Sequence, residues 1–155
     1  MGLSVSSPTQ DQVIREAMKI EVDGERLFSS VQCTWNLLEQ RPGPALQAAH
    51  DAGWDIVIKE GMANGRVLRN PIIIEYSAKL SCEPDQLALA CILAQPFEPH
   101  VLSGAVTPEQ LTSNWKAQQI SDQLRSEPVL LNELLEACVM KSEDYWAERS
   151  ALAWN

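Results

Sequence analysis

SVQCTWNLLEQRPGPALQAAHDAGWDIVIKEGMANGR, residues 30–66, reads as a strand, a helix, a second strand and a glycine-containing loop. Ser30-Val31-Gln32-Cys33-Thr34 is a short β-like run. Pro42 opens a helix whose inward face is Ala45, Leu46 and Ala49, Gly53 ends it, and Ile56-Val57-Ile58 forms the next run. Strands joined by a connection of this length pair in parallel, through a right-handed crossover.

The same unit recurs on both sides. Upstream, Gly2-Leu3-Ser4-Val5 precedes the cap and first-turn pair Ser7-Pro8, then Val13, Ile14, Ala17 and Met18 at helical spacing. Downstream, a loop from Gly61 to Asn70 leads into a helix over 71–80, and Pro84 starts another bearing Leu87, Ala88, Cys91 and Ile92. A last strand, Val101-Leu102, runs through Ser103-Gly104 into Thr107-Pro108-Glu109-Gln110, with a cap hydroxyl, a first-position proline, an acid in the first turn and a Gln three after the cap. Repeated βα order leaves a doubly wound sheet or a β/α barrel. No dinucleotide fingerprint follows a strand, since Gly61 and Gly65 lack the further glycine at the required offset. A four-stranded parallel unit also has two unpaired edges, which a barrel of eight units closes. The expected fold is therefore α/β: half of a (β/α)8 TIM barrel, with parallel βα units over 1–118 and a C-terminal helical extension over 119–155. In that extension Val129-Leu130-Leu131, Leu134-Leu135 and Val139-Met140 form an amphipathic helix. Asp144 to Trp154 adds a tyrosine and two tryptophans, read as packing against the outside or rim of the barrel.

At 155 residues and 45% hydrophobic content, the chain matches one ordinary domain with a substantial core. A net charge of -9, with acids spread along the whole length, argues against a nucleic-acid surface, which needs clustered Lys and Arg. No window has the roughly 18 uncharged apolar residues of a membrane span, and the N-terminus lacks a signal-peptide pattern. The expected setting is cytoplasmic, with no membrane partner. Cys33, Cys82, Cys91 and Cys138 are far apart in sequence and form no metal-ligand motif, so they read as free thiols. His50 and His100 each stand alone.

Tyr76 and Lys79 are three apart, the wrong spacing for a Tyr-x-x-x-Lys proton relay, and Glu75, Lys79 and Glu83 read as a charged outer helix face. No Gly-x-Ser-x-Gly elbow exists. The informative polar residues gather at strand ends: Ser4 and Ser6; Gln32, Thr34 and Asn36; Lys59 and Glu60 before Gly61-Met62-Ala63-Asn64-Gly65; Ser103 and Gly104. Parallel α/β proteins bind ligands at the carboxyl ends of their strands. At the last of these ends, the missing Cβ of Gly104 and the helix starting at Pro108 form an anion cradle.

GLSVSSP, SVQCTWNLLEQ with ALQAAHDAGWDIVIKEGMANGR, LALACILAQP and VLSGAVTPEQLTSN resemble, in that order, the second half of the aldo/keto reductases, TIM-barrel oxidoreductases that use NADPH. The resemblance runs to about Asn114 and makes these strands five to eight. It implies that Ser4 and Gln32 hold the nicotinamide carboxamide and that Gly61, Met62, Asn64 and Gly65 form the loop beside the pyrophosphate. Ser103, Gly104, Val106, Thr107, Gln110 and Asn114 would surround the adenosine and its phosphate. Two positions depart from the family pattern: Lys59 replaces the aromatic that stacks on the nicotinamide, and Val106 replaces a polar or basic residue near the 2′-phosphate. The choice between NADPH and NADH stays open on that account.

The family's Asp, Tyr, Lys and His tetrad belongs to the first half of its barrel, and nothing in this sequence matches it. The resemblance thus implies a truncated or split reductase that carries the cofactor-binding half. Such a chain would be inactive alone, would bind dinucleotide weakly, and would need either an N-terminal half-barrel or self-association. The alternative is a non-catalytic, homo-oligomeric half-barrel that serves as a binding or structural module.

Overall fold

A computed structural model describes residues 1–153; of the expected packing aromatics, Trp154 lies outside them. In chain order the main elements are β1 (Gly2–Ser4), α1 (Gln10–Ala17), the hairpin β2 (Glu21–Val22) and β3 (Glu25–Arg26), β4 (Ser30–Thr34), α2 (Gly43–Asp51) and β5 (Asp55–Lys59). There follow α3 (Pro71–Lys79), α4 (Pro84–Leu93), β6 (His100–Val101), α5 (Pro108–Trp115), α6 (Ala117–Ser126), α7 (Pro128–Cys138) and α8 (Ser142–Ser150).

The main sheet has the order β1-β4-β5-β6, and every pairing in it is parallel. Sequential order means that each right-handed crossover steps in the same direction, so every covering helix falls on one face of the sheet. This is barrel winding; a doubly wound sheet reverses direction and covers both faces. Register confirms which side is which. Leu3, Val31 and Ile56 lie abreast, as do Cys33, Ile58 and Val101, and these are the residues packed into the helical layer. The alternate rows, Ser4-Gln32-Val57-His100 and Thr34-Lys59, face the other side.

The helices supply matching apolar stripes: Ile14 and Ala17 from α1, and Ala45, Leu46 and Ala49 from α2. On α4 every residue from Gln86 to Ile92 is buried, because α6 closes over its outer side with Ala117, Ser121 and Leu124. Position 118, the expected end of the half-barrel, falls within α6. The first helix begins at Gln10, two residues later than the Ser7-Pro8 reading, because Ser7 Oγ accepts the Thr9 amide and holds these residues in a turn. Gln10 itself is buried and clamps the end of β4, donating to the Thr34 carbonyl (2.8 Å) and accepting from the Thr34 amide (3.3 Å). The β2-β3 hairpin, absent from the sequence reading, turns on Asp23 (φ 53) and Gly24 (φ 82).

The tail docks on the segment that follows β4. Met140 donates to the Leu38 carbonyl (2.9 Å) and Gln40 Nε2 to the Leu135 carbonyl (2.8 Å). Buried Asn36 organises this corner: its Oδ1 accepts the amides of Leu38 and Glu39, while Nδ2 donates to the Glu60 carbonyl and to Tyr145 Oη, both at 3.0 Å. Asn36→Ala leaves several buried groups without partners and should destabilise by about 3 kcal/mol, against about 1 kcal/mol for Tyr145→Phe, which removes one bond. Urea unfolding of both variants checks the ranking; equal losses would contradict it.

Candidate functional site

Three strands deliver polar side chains to the uncovered face of the sheet. Lys59 Nζ donates to Ser4 Oγ (2.9 Å), which donates to Gln32 Oε1 (3.0 Å), so β5, β1 and β4 share one hydrogen-bonded chain. Thr34, abreast of Lys59, has a buried Oγ1 with no hydrogen-bond partner. An orphaned buried hydroxyl costs free energy unless something pairs with it, and Thr34 is fully buried beside the Lys59-Ser4-Gln32 row rather than open to that face. The alternation of Gln32 and Thr34 along β4 was its signal in the sequence.

A second group forms where the loop after β5 meets the start of α5. A cavity of about 380 Å³ is lined by Met62 and Leu68 on one side, by Glu83 and Asp85 at the start of α4, and by Ser103, Gly104, Gln110 and Asn114 on the other. Gly104 has φ 66, a conformation that a residue with Cβ adopts only with strain. The Asn114 amide lies 3.1 Å from Ser103 Oγ and 3.2 Å from Asp85 Oδ2, spanning the cavity walls. Thr107 caps α5, accepting the Gln110 amide (3.2 Å), while Gln110 Oε1 accepts the Val106 amide (2.9 Å). Glu109, in the first turn, is held below the usual carboxylate range by its own backbone amide and by Thr107. The amides expected to form an anion cradle are thus largely paired within the chain.

The remaining expected residues lie apart from both groups. Gly61 is buried, and a Cβ there would come within 2.8 Å of Ile92 Cδ1, so its missing side chain serves the close passage of the chain over α4. Asn64 (φ 56) and Gly65 (φ 82) follow Ala63 (φ 48) through a left-handed turn, with the Asn64 side chain exposed. Val106 is 85% exposed. Tyr76 and Lys79 meet each other on α3 (4.7 Å), where Lys79 also pairs with Glu75 (2.7 Å). Burial pushes the Cys33 and Cys91 thiols well up and Cys138 to about 11, which disfavours the thiolate at these three positions. Among the described residues no cluster of metal ligands occurs, and no helix is long and apolar enough to cross a membrane.

Helix α8 braces the loop between the two groups. Arg149 Nε donates to both carboxylate oxygens of Glu60 (3.0 and 2.9 Å), and Glu60 itself has φ 55. Arg66 lies over the Tyr145 ring (4.2 Å) and reaches Glu148 (3.1 Å). Ser142 Oγ donates to Glu39 Oε2 (2.6 Å), and burial is the main cause holding the Glu39 carboxyl above the usual range. Consecutive left-handed residues cost about 1 kcal/mol or more each outside glycine, so these bonds offset strain stored in residues 60–65.

Arg149→Met should therefore speed hydrogen exchange of the amides over 61–66, with a stability loss of about 1 kcal/mol for a partly exposed pair. Unchanged exchange would refute the bracing role. Glu39 gives a pH test. Its raised folded pKa favours the folded state while the proton is on, and that contribution is lost as pH rises through the folded value. Glu39→Gln should gain on wild type in urea midpoint between about pH 4 and pH 7; a wild-type advantage growing toward neutrality would contradict the assignment.

No protein-family model matches the sequence, and no curated protein does. Solved structures do match. An aldo-keto reductase of Bacillus halodurans in its holo form superposes with a TM-score of 0.62 at 20% identity, over 92% of this chain and 52% of that one. The apo form gives 0.60 at 17% identity, over 90% and 52%. The structure of a putative 2,5-diketo-D-gluconic acid reductase B gives 0.57 at 23% identity, over 81% and 44%. The chain spans about half the length of the structures it matches, and over that half it has the fold of an aldo-keto reductase barrel.

Proposed function

We propose that this chain is the cofactor-binding half of an aldo/keto reductase-type enzyme, an NAD(P)H-dependent carbonyl oxidoreductase. The observation that carries the reading is the convergence of separate strand ends on two polar groups: Lys59, Ser4 and Gln32 at one, Met62 with Ser103, Gly104, Gln110 and Asn114 at the other. The uncovered sheet face and the cavity suit the two ends of an extended ligand. When bound, the dinucleotide supplies the hydride.

The residues of the chain bind and orient. Gln32 presents an amide and Ser4 a hydroxyl, groups complementary to a carboxamide, and Lys59 fixes Ser4 while adding a positive charge on that face. Loop 60–66, held by α8, walls the space between the two groups. A proton donor comes from elsewhere. Tyr76 is engaged on α3, and burial raises the Tyr145 hydroxyl, already paired with Asn36, above the usual phenol range. In this reading the complementary half-barrel supplies the Asp, Tyr, Lys and His tetrad and pairs with the open edges of β1 and β6.

The second reading, a homo-oligomeric module without catalysis, draws on one observation. Leu102, Leu111 and Trp115, at 50%, 55% and 69% exposure, stand beside the unpaired edge of β6. Sedimentation separates the two: a stable dimer that binds no dinucleotide favours the module.

The reductase reading is tested by dinucleotide fluorescence titration and by turnover of 4-nitrobenzaldehyde. The expected result is measurable but weak binding, reduced about tenfold in Lys59→Met through loss of a charged hydrogen-bonding group, with no turnover by this chain alone. A positioned general acid contributes about 10²- to 10⁴-fold, so its lack leaves the rate at background. Robust turnover abolished by Tyr76→Phe would overturn this division of labour.

A further inference from the structure

We propose that the cavity between the β5 loop and α5 selects a dinucleotide whose adenosine ribose has free hydroxyls, so that the chain takes NADH in preference to NADPH. The inference rests on the cofactor reading above and goes beyond it, because the two dinucleotides differ only by a 2′-phosphate. That group carries a charge of about -1.5 to -2 at neutral pH. A site that accepts it surrounds it with Arg, Lys or free amides at a helix N-terminus, whereas a site for the bare ribose offers carboxylate acceptors to its hydroxyls.

The cavity is of the second kind. Its charged lining residues are Glu83 and Asp85, and no Lys or Arg lines it. Asn114 steadies Asp85 through one carboxylate oxygen, which leaves the other as an acceptor. Helix α5 does not compensate. Thr107 takes the Gln110 amide, Gln110 takes that of Val106, Ser103 Oγ takes that of Ala105 (3.0 Å), and the Glu109 carboxylate lies on its own amide. Val106, outermost at this corner, brings no charge. A 2′-phosphate entering here meets two lining carboxylates and a third in the first turn of α5, with its neutralising donors already engaged. A ribose diol meets carboxylate acceptors there instead of a phosphate-binding set.

Parallel titrations of the chain with NADH and NADPH at one ionic strength test this, on wild type and on Glu83→Gln/Asp85→Asn, with circular dichroism to confirm folding. The expected result is at least tenfold tighter NADH binding by wild type, a preference that shrinks at high salt, and loss of most of it in the double variant through tighter NADPH binding. NADPH binding equal to or tighter than NADH by wild type overturns the inference and leaves the cofactor reading standing. A preference unchanged in the double variant overturns the assignment to these carboxylates. Binding of neither dinucleotide overturns the inference together with the cofactor reading.

Discussion

Every crossover between neighbouring strands of the main sheet passes over the same face, and this handedness constraint orders everything else in the molecule. A right-twisted strand returning through a helix packs back on the sheet in one sense only. Repeated in one direction, that step puts Leu3, Val31, Cys33, Ile56, Ile58 and Val101 against helices and leaves the other rows mostly polar, with Val57 the apolar member. It also aligns all strand ends, so that Ser4, Gln32, Thr34, Lys59 and Ser103 reach the same rim. The polar face is what remains once the core has been satisfied.

The rim costs free energy to maintain. Glu60, Ala63 and Asn64 all adopt positive φ, and Asn36, Glu39 and Thr34 are polar groups out of contact with water. Helix α8 offsets much of this with bonds from Ser142, Tyr145 and Arg149 to three different points of the loops after β4 and β5. Fixed, internally paired loops suit a site that must hold a ligand without reorganising. The strap comes from the end of the described chain, so the parts of the rim nearest the sheet depend on residues about a hundred positions away.

Electrostatics differ between the two polar groups. At the sheet, Lys59 places a cation beside neutral hydrogen-bonding groups. At the far cavity, Glu83 and Asp85 face a helix start whose amides are paired within the chain. An extended ligand lying across both would experience a positive end and a negative end.

The periodic features were legible in the sequence. Alternation along residues 30–34, helical spacing after each strand, the Asn70-Pro71 and Thr107-Pro108 helix starts and the parallel order are local properties, written in each segment by side-chain period and capping chemistry. The local signal was present yet unread at Asp23-Gly24, a hairpin turn, and it misplaced the first helix where Ser7 preferred a turn to a cap. Which strand-end residues share a pocket was another matter. Met62 lines one cavity with Gln110 and Asn114, Lys59 meets Ser4, and Gly61 serves packing against Ile92; spacing along the chain carries no record of such distances. The pairing of Glu60 with Arg149 and the enclosure of Asn36 by Tyr145 lay equally beyond it, since both join groups about ninety or more positions apart. Period and capping are decided by neighbours in sequence, whereas the partners of a buried charge or amide are decided by whatever the closed tertiary packing brings within hydrogen-bonding reach.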